Sequence, residues 1–199
     1  MKKTIYAAVI FLTIGIAATS CKKDNTTKTK TENPAKATID AKSVVDTNKV
    51  ANTGSWEFGQ KFYTSKNGNI TKLGCKMAVK GNFRVSLWDF TTKNLIAATT
   101  VNVSDTLHFT YNTISPTAIT ANTRYVISLN NTDGGVNKPY YTYYKKPGVA
   151  YITYPFTTGS ITYEIGLYAS SATSVFPNLN GGSLDSFWGV PDLQFEYTE

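Results

Sequence analysis

The sequence predicts an all-β fold, an antiparallel β-sandwich, and three observations predict it. From Trp56 onward, aromatic and β-branched runs alternate with Gly, Asn, Asp and Pro, the texture of short strands separated by turns. Several runs place an apolar residue at every second position: Phe83-x-Val85-x-Leu87, Leu107-x-Phe109-x-Tyr111 and Tyr125-x-Ile127-x-Leu129. That period suits a strand with one wet face. No window beyond residue 21 carries useful helical periodicity.

Taken in order, strands are expected over 57–64, 69–79, 83–91, 95–103, 107–114, 123–131, 140–145, 149–154, 161–170 and 187–197. Val44, Val45 and Val50 could add a short first strand. Lys66-Asn67-Gly68-Asn69 reads as a hairpin turn with its glycine at positive φ. Ala121-Asn122 reads as a second turn. Adjacent Leu87 and Trp88 must point to opposite faces, so one belongs to the core and the other lies under a loop.

The N-terminus is a different kind of sequence. Lys2 and Lys3 precede a mostly apolar run from Ile5 to Ala18, and Ala18-Thr19-Ser20 then leads into Cys21. Basic start, short apolar stretch and small residues form a secretory signal, too short for a spanning helix. A cysteine just after the small residues resembles the lipobox of bacterial lipoproteins. That resemblance implies acylation of Cys21, by palmitate-type chains, and cleavage after residue 20. Ala18 departs from the Leu usual three residues before the cysteine, and a plain secretory signal is the alternative. Three segments result: signal peptide 1–20, tether 21–54 and sandwich 55–199. Residues 22–54 are rich in Thr, Lys, Asn and Ala with almost no aromatics. Such a stretch cannot bury enough apolar surface to order itself and reads as a flexible leash spanning roughly 5–6 Å × √n, a few tens of ångströms. After Cys21 the next residues are Lys22-Lys23-Asp24, without an Asp directly following, which by analogy favours the outer membrane.

The net charge of +7 invites a nucleic-acid reading, and its distribution argues against one. Residues 22–49 hold seven lysines against four acids, whereas residues 50–199 hold eleven basic against nine acidic side chains. The fold is nearly neutral, so no nucleic-acid partner is expected. Lysines beside a lipid anchor instead suit anionic head groups. With Cys21 assigned to lipid, Cys75 has no disulfide partner, and the alternation Leu73-x-Cys75-x-Met77-x-Val79 makes it a buried strand residue.

Several stretches occur in a telling order: Trp56-Glu57-Phe58-Gly59, Gly68-Asn69-Ile70-Thr71, Ser86-Leu87-Trp88-Asp89, Leu95-Ile96-Ala97-Ala98, Pro116 through Ser128, and Phe187-Trp188-Gly189-Val190. Together they resemble an uncharacterised family of bacterial extracellular domains, a domain of unknown function, over roughly residues 56–197. The resemblance implies a jelly-roll-like β-sandwich of the kind attached to secreted carbohydrate-active or adhesive proteins. It implies no catalytic residues. Phe83-Arg84-Val85 and the insert 131–160 depart from the family pattern.

Catalysis is poorly supported, and no enzyme activity is expected. His108 is the single histidine, and Gly181-Gly182-Ser183-Leu184-Asp185 is not a nucleophile elbow. A glycoside hydrolase needs two facing carboxylates. Glu57, Asp89, Glu164, Asp185 and Glu196 are available, and nothing in the sequence pairs them. No cofactor and no structural zinc are expected. The loop Asn130-Asn131-Thr132-Asp133-Gly134-Gly135 and the region of Asp192 offer oxygen ligands for a structural calcium, although turns use the same residues.

The strongest ligand signal is aromatic. Tyr140, Tyr141, Tyr143 and Tyr144 crowd the insert, with Trp188 and Asp133 as candidate neighbours. Consecutive tyrosines in a strand face both ways, so some should escape the core. Tyrosine suits sugar C–H faces and protein partners alike. Asp105-Thr106-Leu107 resembles a short bacterial O-glycosylation pattern, with Thr106 the acceptor. The expected function is therefore a lipid-anchored, non-catalytic envelope module that binds glycan or a surface partner. The alternatives are a structural or assembly lipoprotein without a small ligand, and a glycan-active hydrolase.

Overall fold

A computed structural model describes residues 27–41, 45–145 and 154–199. The signal, Cys21 and most of the expected strand 149–154 lie outside them. The elements in chain order are β1 (Thr29–Glu32), α1 (Pro34–Asp40), β2 (Val45–Ala51), β3 (Trp56–Thr64), β4 (Gly68–Cys75) and β5 (Gly81–Asp89). There follow β6 (Leu95–Val103), β7 (Thr110–Ile119), β8 (Tyr125–Asn130), β9 (Thr132–Asp133), β10 (Val136–Asn137) and β11 (Tyr140–Lys145). The chain ends with β12 (Phe156–Thr158), β13 (Ile161–Ser170), β14 (Leu179–Asn180), β15 (Ser186–Trp188) and β16 (Pro191–Thr198).

The protein is an all-β sandwich. A large sheet runs β12-β13-β3-β8-β5-β6, with β14 added to β13, and a second sheet runs β1-β16-β4-β7. A smaller sheet, β15-β11-β2, and the β9–β10 hairpin complete it. Every pairing is antiparallel. The core lies between the two main sheets. Ile70, Leu73, Leu193 and Phe195 meet Phe62, Phe83, Val85, Leu87, Ile127, Leu129 and Tyr163, all fully buried. Each such side chain contributes about 1.5–3 kcal/mol of apolar transfer. Cys75 is buried among them and free, as its alternation predicts, and burial pushes its thiol pKa up.

The outer face of the large sheet carries a second cluster, Trp88, Val126 and Leu167, packed against Phe176 of the loop after β13. Leu87 is thus the core residue and Trp88 the one under a loop, its ring edge-on to Phe176 at 6.1 Å. Asn122 takes φ 62° at the expected turn.

Four expectations need correction. Residues 66–69 do not close a hairpin, because β3 and β4 belong to different sheets and the turn carries the chain across the sandwich. Gly68 is not at positive φ; a Cβ there would come 2.3 Å from the Glu196 carbonyl oxygen and 2.6 Å from the Phe195 ring. The strand expected at 107–114 runs instead over β7, past Pro116. β7 is an edge strand with an irregularity opposite Ile70–Lys72, where proline withdraws no needed donor. The strand expected at 187–197 breaks at Gly189, φ 55°, where a Cβ would sit 2.8 Å from Phe58.

The fourth correction is the tether. Its described part is folded: β1 pairs with β16, and β2 pairs with β11. Ala35, Thr38 and Ile39 of α1 are buried. Low apolar content forbids this segment a core of its own, yet it borrows one by docking. Among the described residues, no helix is long and apolar enough to cross a membrane.

Candidate functional site

The small sheet packs across one end of the large sheet and leaves a groove of about 350 Å³ between them. Pleating decides which of its tyrosines reach that groove. On β11, Tyr140, Thr142 and Tyr144 face it, and Thr142 stands opposite Trp188 of β15, which lines it too. Tyr141 and Tyr143 face the other way. Tyr143 stands opposite Phe187, whose ring meets Tyr163 edge-on at 5.8 Å, and Tyr141 donates to the Thr106 carbonyl at 3.3 Å. Of the four tyrosines, only Tyr144 escapes the core, fewer than the alternation of faces suggests. Tyr140, Tyr141 and Tyr143 are all buried, because both faces of β11 are covered, and Tyr144 is half-buried.

The large sheet supplies the facing wall. Register pairs Phe58 with Tyr168 and Trp56 with Ser170 across β3 and β13, which brings Trp56, Phe58 and Tyr168 together. Tyr168 stands edge-on to Trp56 at 5.8 Å and 70°, and edge-on to Trp188 at 6.2 Å and 73°. Phe58 forms the floor against Tyr140, ring centroids 4.4 Å apart. Glycine at 181 makes room, since a Cβ there would come 2.6 Å from the Trp188 ring. Of these walls, Trp56 and Tyr168 were not among the expected site residues. Their meeting depends on a long-range register that no local pattern reports.

Among the described residues, polarity in the groove is sparse and uncharged. The Trp56 indole N–H donates to Thr53 Oγ1 at 3.2 Å, and Thr53 Oγ1 lies 3.1 Å from the Tyr140 hydroxyl. Those two hydroxyls share one hydrogen bond, so only one of their two hydrogens is used between them. Among the described residues that line the groove there is no Asp, Glu, His, Lys or Arg. What remains is a trough of half-buried rings with hydroxyls at its edge, fit for stacking and hydrogen bonding.

The expected neighbour Asp133 is not part of the groove. It sits at the β9–β10 turn, where Gly134 and Gly135 take φ 59° and 78°, and accepts the Asn82 backbone N–H at 3.2 Å. In the loop expected to hold calcium, Asn130, Asn131 and Asp133 each have a side-chain oxygen engaged within the protein, and Thr132 Oγ1 is buried without a partner among the described residues. Asn130 Oδ1 accepts Thr132 N–H and Asn131 Oδ1 accepts Trp56 N–H. Asn131 Nδ2 donates to the Gly54 and Lys138 carbonyls. Asp192 is fully buried and accepts the Tyr111 hydroxyl at 2.6 Å and the N–H groups of Ala35 and Lys36. Burial pushes its pKa up to about 6. Among the described residues, no group of three or more His, Cys, Asp or Glu is placed to hold a metal.

The acids available for hydrolysis are dispersed. Glu164 pairs with Lys61 and Arg124, and Glu196 bonds Thr71 and Gln194. Asp89 closes its own turn onto Thr92. Glu57 is the most perturbed, its pKa raised to about 7 by burial. It points away from the groove, to the outer face, where Ser128, Asn130 and Ser174 donate to it. His108 is exposed and bonds Asp105 at 2.6 Å. Thr106, in the same loop, is half-buried.

Residues 42–188 match the family described as Domain of unknown function (DUF4082). The chain belongs to it. The DUF4082 match takes in β2 and ends at Trp188, so it spans the groove, while β1, α1 and β16 lie beyond its limits. No curated protein matches the chain.

Proposed function

We propose that this DUF4082 protein is a non-catalytic binding module, held in the cell envelope through Cys21, whose aromatic groove takes a neutral glycan chain. The observation that carries the reading is the lining itself: three tilted, half-buried rings, Trp56, Tyr168 and Trp188, with hydroxyls beside them and no charged side chain among the described lining residues. Flat apolar rings match the C–H faces of sugars, and Thr53, Tyr140 and Thr142 suit their hydroxyls. A lining without carboxylates supports binding over hydrolysis, which would need a facing pair. Outer-membrane placement and a glycan on Thr106 belong to the same proposal and rest on sequence pattern.

A broad glycan array probed with the soluble domain tests it, followed by titration of any hit. Trp188→Ala and Trp56→Ala should each weaken binding roughly tenfold. High salt should change affinity little, since none of the described lining residues is charged. Absence of any hit on the array would sink the glycan reading and favour the assembly lipoprotein. Cys21→Ala should release a folded, soluble chain; retention in the membrane fraction would remove the anchor.

A further inference from the structure

We infer that residues 28–41 are a docked strap that holds the domain close to its lipid surface with the groove turned away from it. The inference rests on the proposed anchoring at Cys21. The strap is fastened at several independent points. Glu32 accepts the Ser160 N–H and hydroxyl and the Tyr197 hydroxyl, and Asn33 donates to the Leu193 carbonyl. The buried Asp192 carboxylate accepts the N–H groups of Ala35 and Lys36. Thr38 meets Thr158 at 2.7 Å, and Ala35 and Ile39 are buried in the core. The Glu199 N–H reaches the Lys28 carbonyl, so the strap begins at Lys28.

The position of Lys28 then sets the geometry. Thr29 stands opposite Thr198, beside the turn Asn67–Asn69 that follows β3 directly. The groove lies at the other end of β3, at Trp56. Eight residue steps of strand separate the two ends, roughly 27 Å. Between Cys21 and Lys28 the chain has seven steps, which reach about 25 Å at full extension. With β3 upright and the groove down, Lys28 would stand about the length of β3 above the surface, farther than those residues can stretch. The end bearing Lys66 and Asn67 therefore faces the lipid, and the groove faces outward.

Two measurements test this on the full lipid-anchored chain. Amide hydrogen exchange over residues 30–37 should show protection comparable to β16; exchange at free-chain rates would overturn the strap while leaving the anchor intact. For orientation, a dye is placed at Lys66→Cys or at Val50→Cys, both exposed, the first near the strap and the second on the groove's sheet. Buried Cys75 does not compete for label. On vesicles with quencher-bearing head groups, the Lys66 dye should be quenched several-fold more than the Val50 dye. Equal or reversed quenching would overturn the orientation. Membrane retention of Cys21→Ala would overturn the anchor, and the orientation with it.

Discussion

Glu57 and Phe58 are neighbours on β3 and open onto opposite faces of the large sheet, and the two faces are finished in different ways. Around Glu57 the carboxylate and the groups that touch it are bonded within the protein, and of the described residues beside them only Thr132 Oγ1, next to Asn130, is buried without a partner. Ser128, Asn130 and Ser174 donate to the carboxylate, and the Trp88 indole N–H donates to Ser128 at 2.7 Å. Asn130 also holds the Ser171 and Thr173 carbonyls, pinning the loop above. Around Phe58 the rings are packed on one side only, and Trp56, Tyr168 and Trp188 remain half-buried. A closed polar network spends its hydrogen bonds on the fold. An aromatic wall left partly uncovered has capacity to spare, which is why the groove and not the perturbed carboxylate is the candidate site.

The largest test of that contrast lies within the groove. Phe58 is 4% exposed and forms the floor, so Phe58→Ala should cost about 3–5 kcal/mol of stability, read by urea melts. Trp188→Ala removes a half-exposed ring and should cost only about 1 kcal/mol while abolishing most binding. Equal destabilisation by the two would mean that Trp188 is packing and that the groove is merely an irregular core edge.

Next in size is the pH dependence of the other face. Glu57 has a folded pKa of about 7 against an ordinary value of 4.5, so the native state holds the extra proton between those limits. Stability from this group is present below pH 4.5 and lost as pH rises through 7, by up to about 3 kcal/mol. Asp192, raised from 3.8 to about 6, acts in the same direction. Glu57→Gln should remove its part of the slope and match the wild type near pH 5. Its side-chain amide has the shape of the protonated acid and keeps an oxygen to accept from the same neighbours without a charge. A wild-type melting profile that improves from pH 5 to pH 8 would show that the network holds the carboxylate charged.

Much of this was legible locally. Alternation placed Cys75 and Leu87 in the core, and 95–103, 140–145 and 161–170 are strands with the expected limits. The tyrosine tract pointed to the right element, since Tyr140 and Tyr144 line the groove with Trp188. What was hidden depends on long-range pairing. Tyr168 reaches Trp56 only through the β3–β13 register, which contains an irregularity at Tyr163–Ile165 that no local rule foretells. The strap was hidden for a related reason. Composition measures what a segment can bury within itself, whereas Ala35 and Ile39 are covered by residues far away in sequence.

The smallest expected effect concerns the loop Asn130 to Gly135, which resembles a cation site in composition and the Glu57 face in construction. Asn130, Asn131 and Asp133 direct side-chain oxygens to the backbone N–H groups of Thr132, Trp56 and Asn82. Recruiting those oxygens to calcium would release these N–H groups and undo the contacts that join β3, β5 and the hairpin. A ligand that binds only the native state raises the melting temperature in proportion to its free energy, about 2–4 °C per kcal/mol for a chain of this size. Calcium addition or chelation should accordingly move the melting temperature by less than about 1 °C. A shift of several degrees would mean that the loop exchanges its internal bonds for a metal. The rule that separates closed polar clusters from open aromatic ones would then fail at its plainest example.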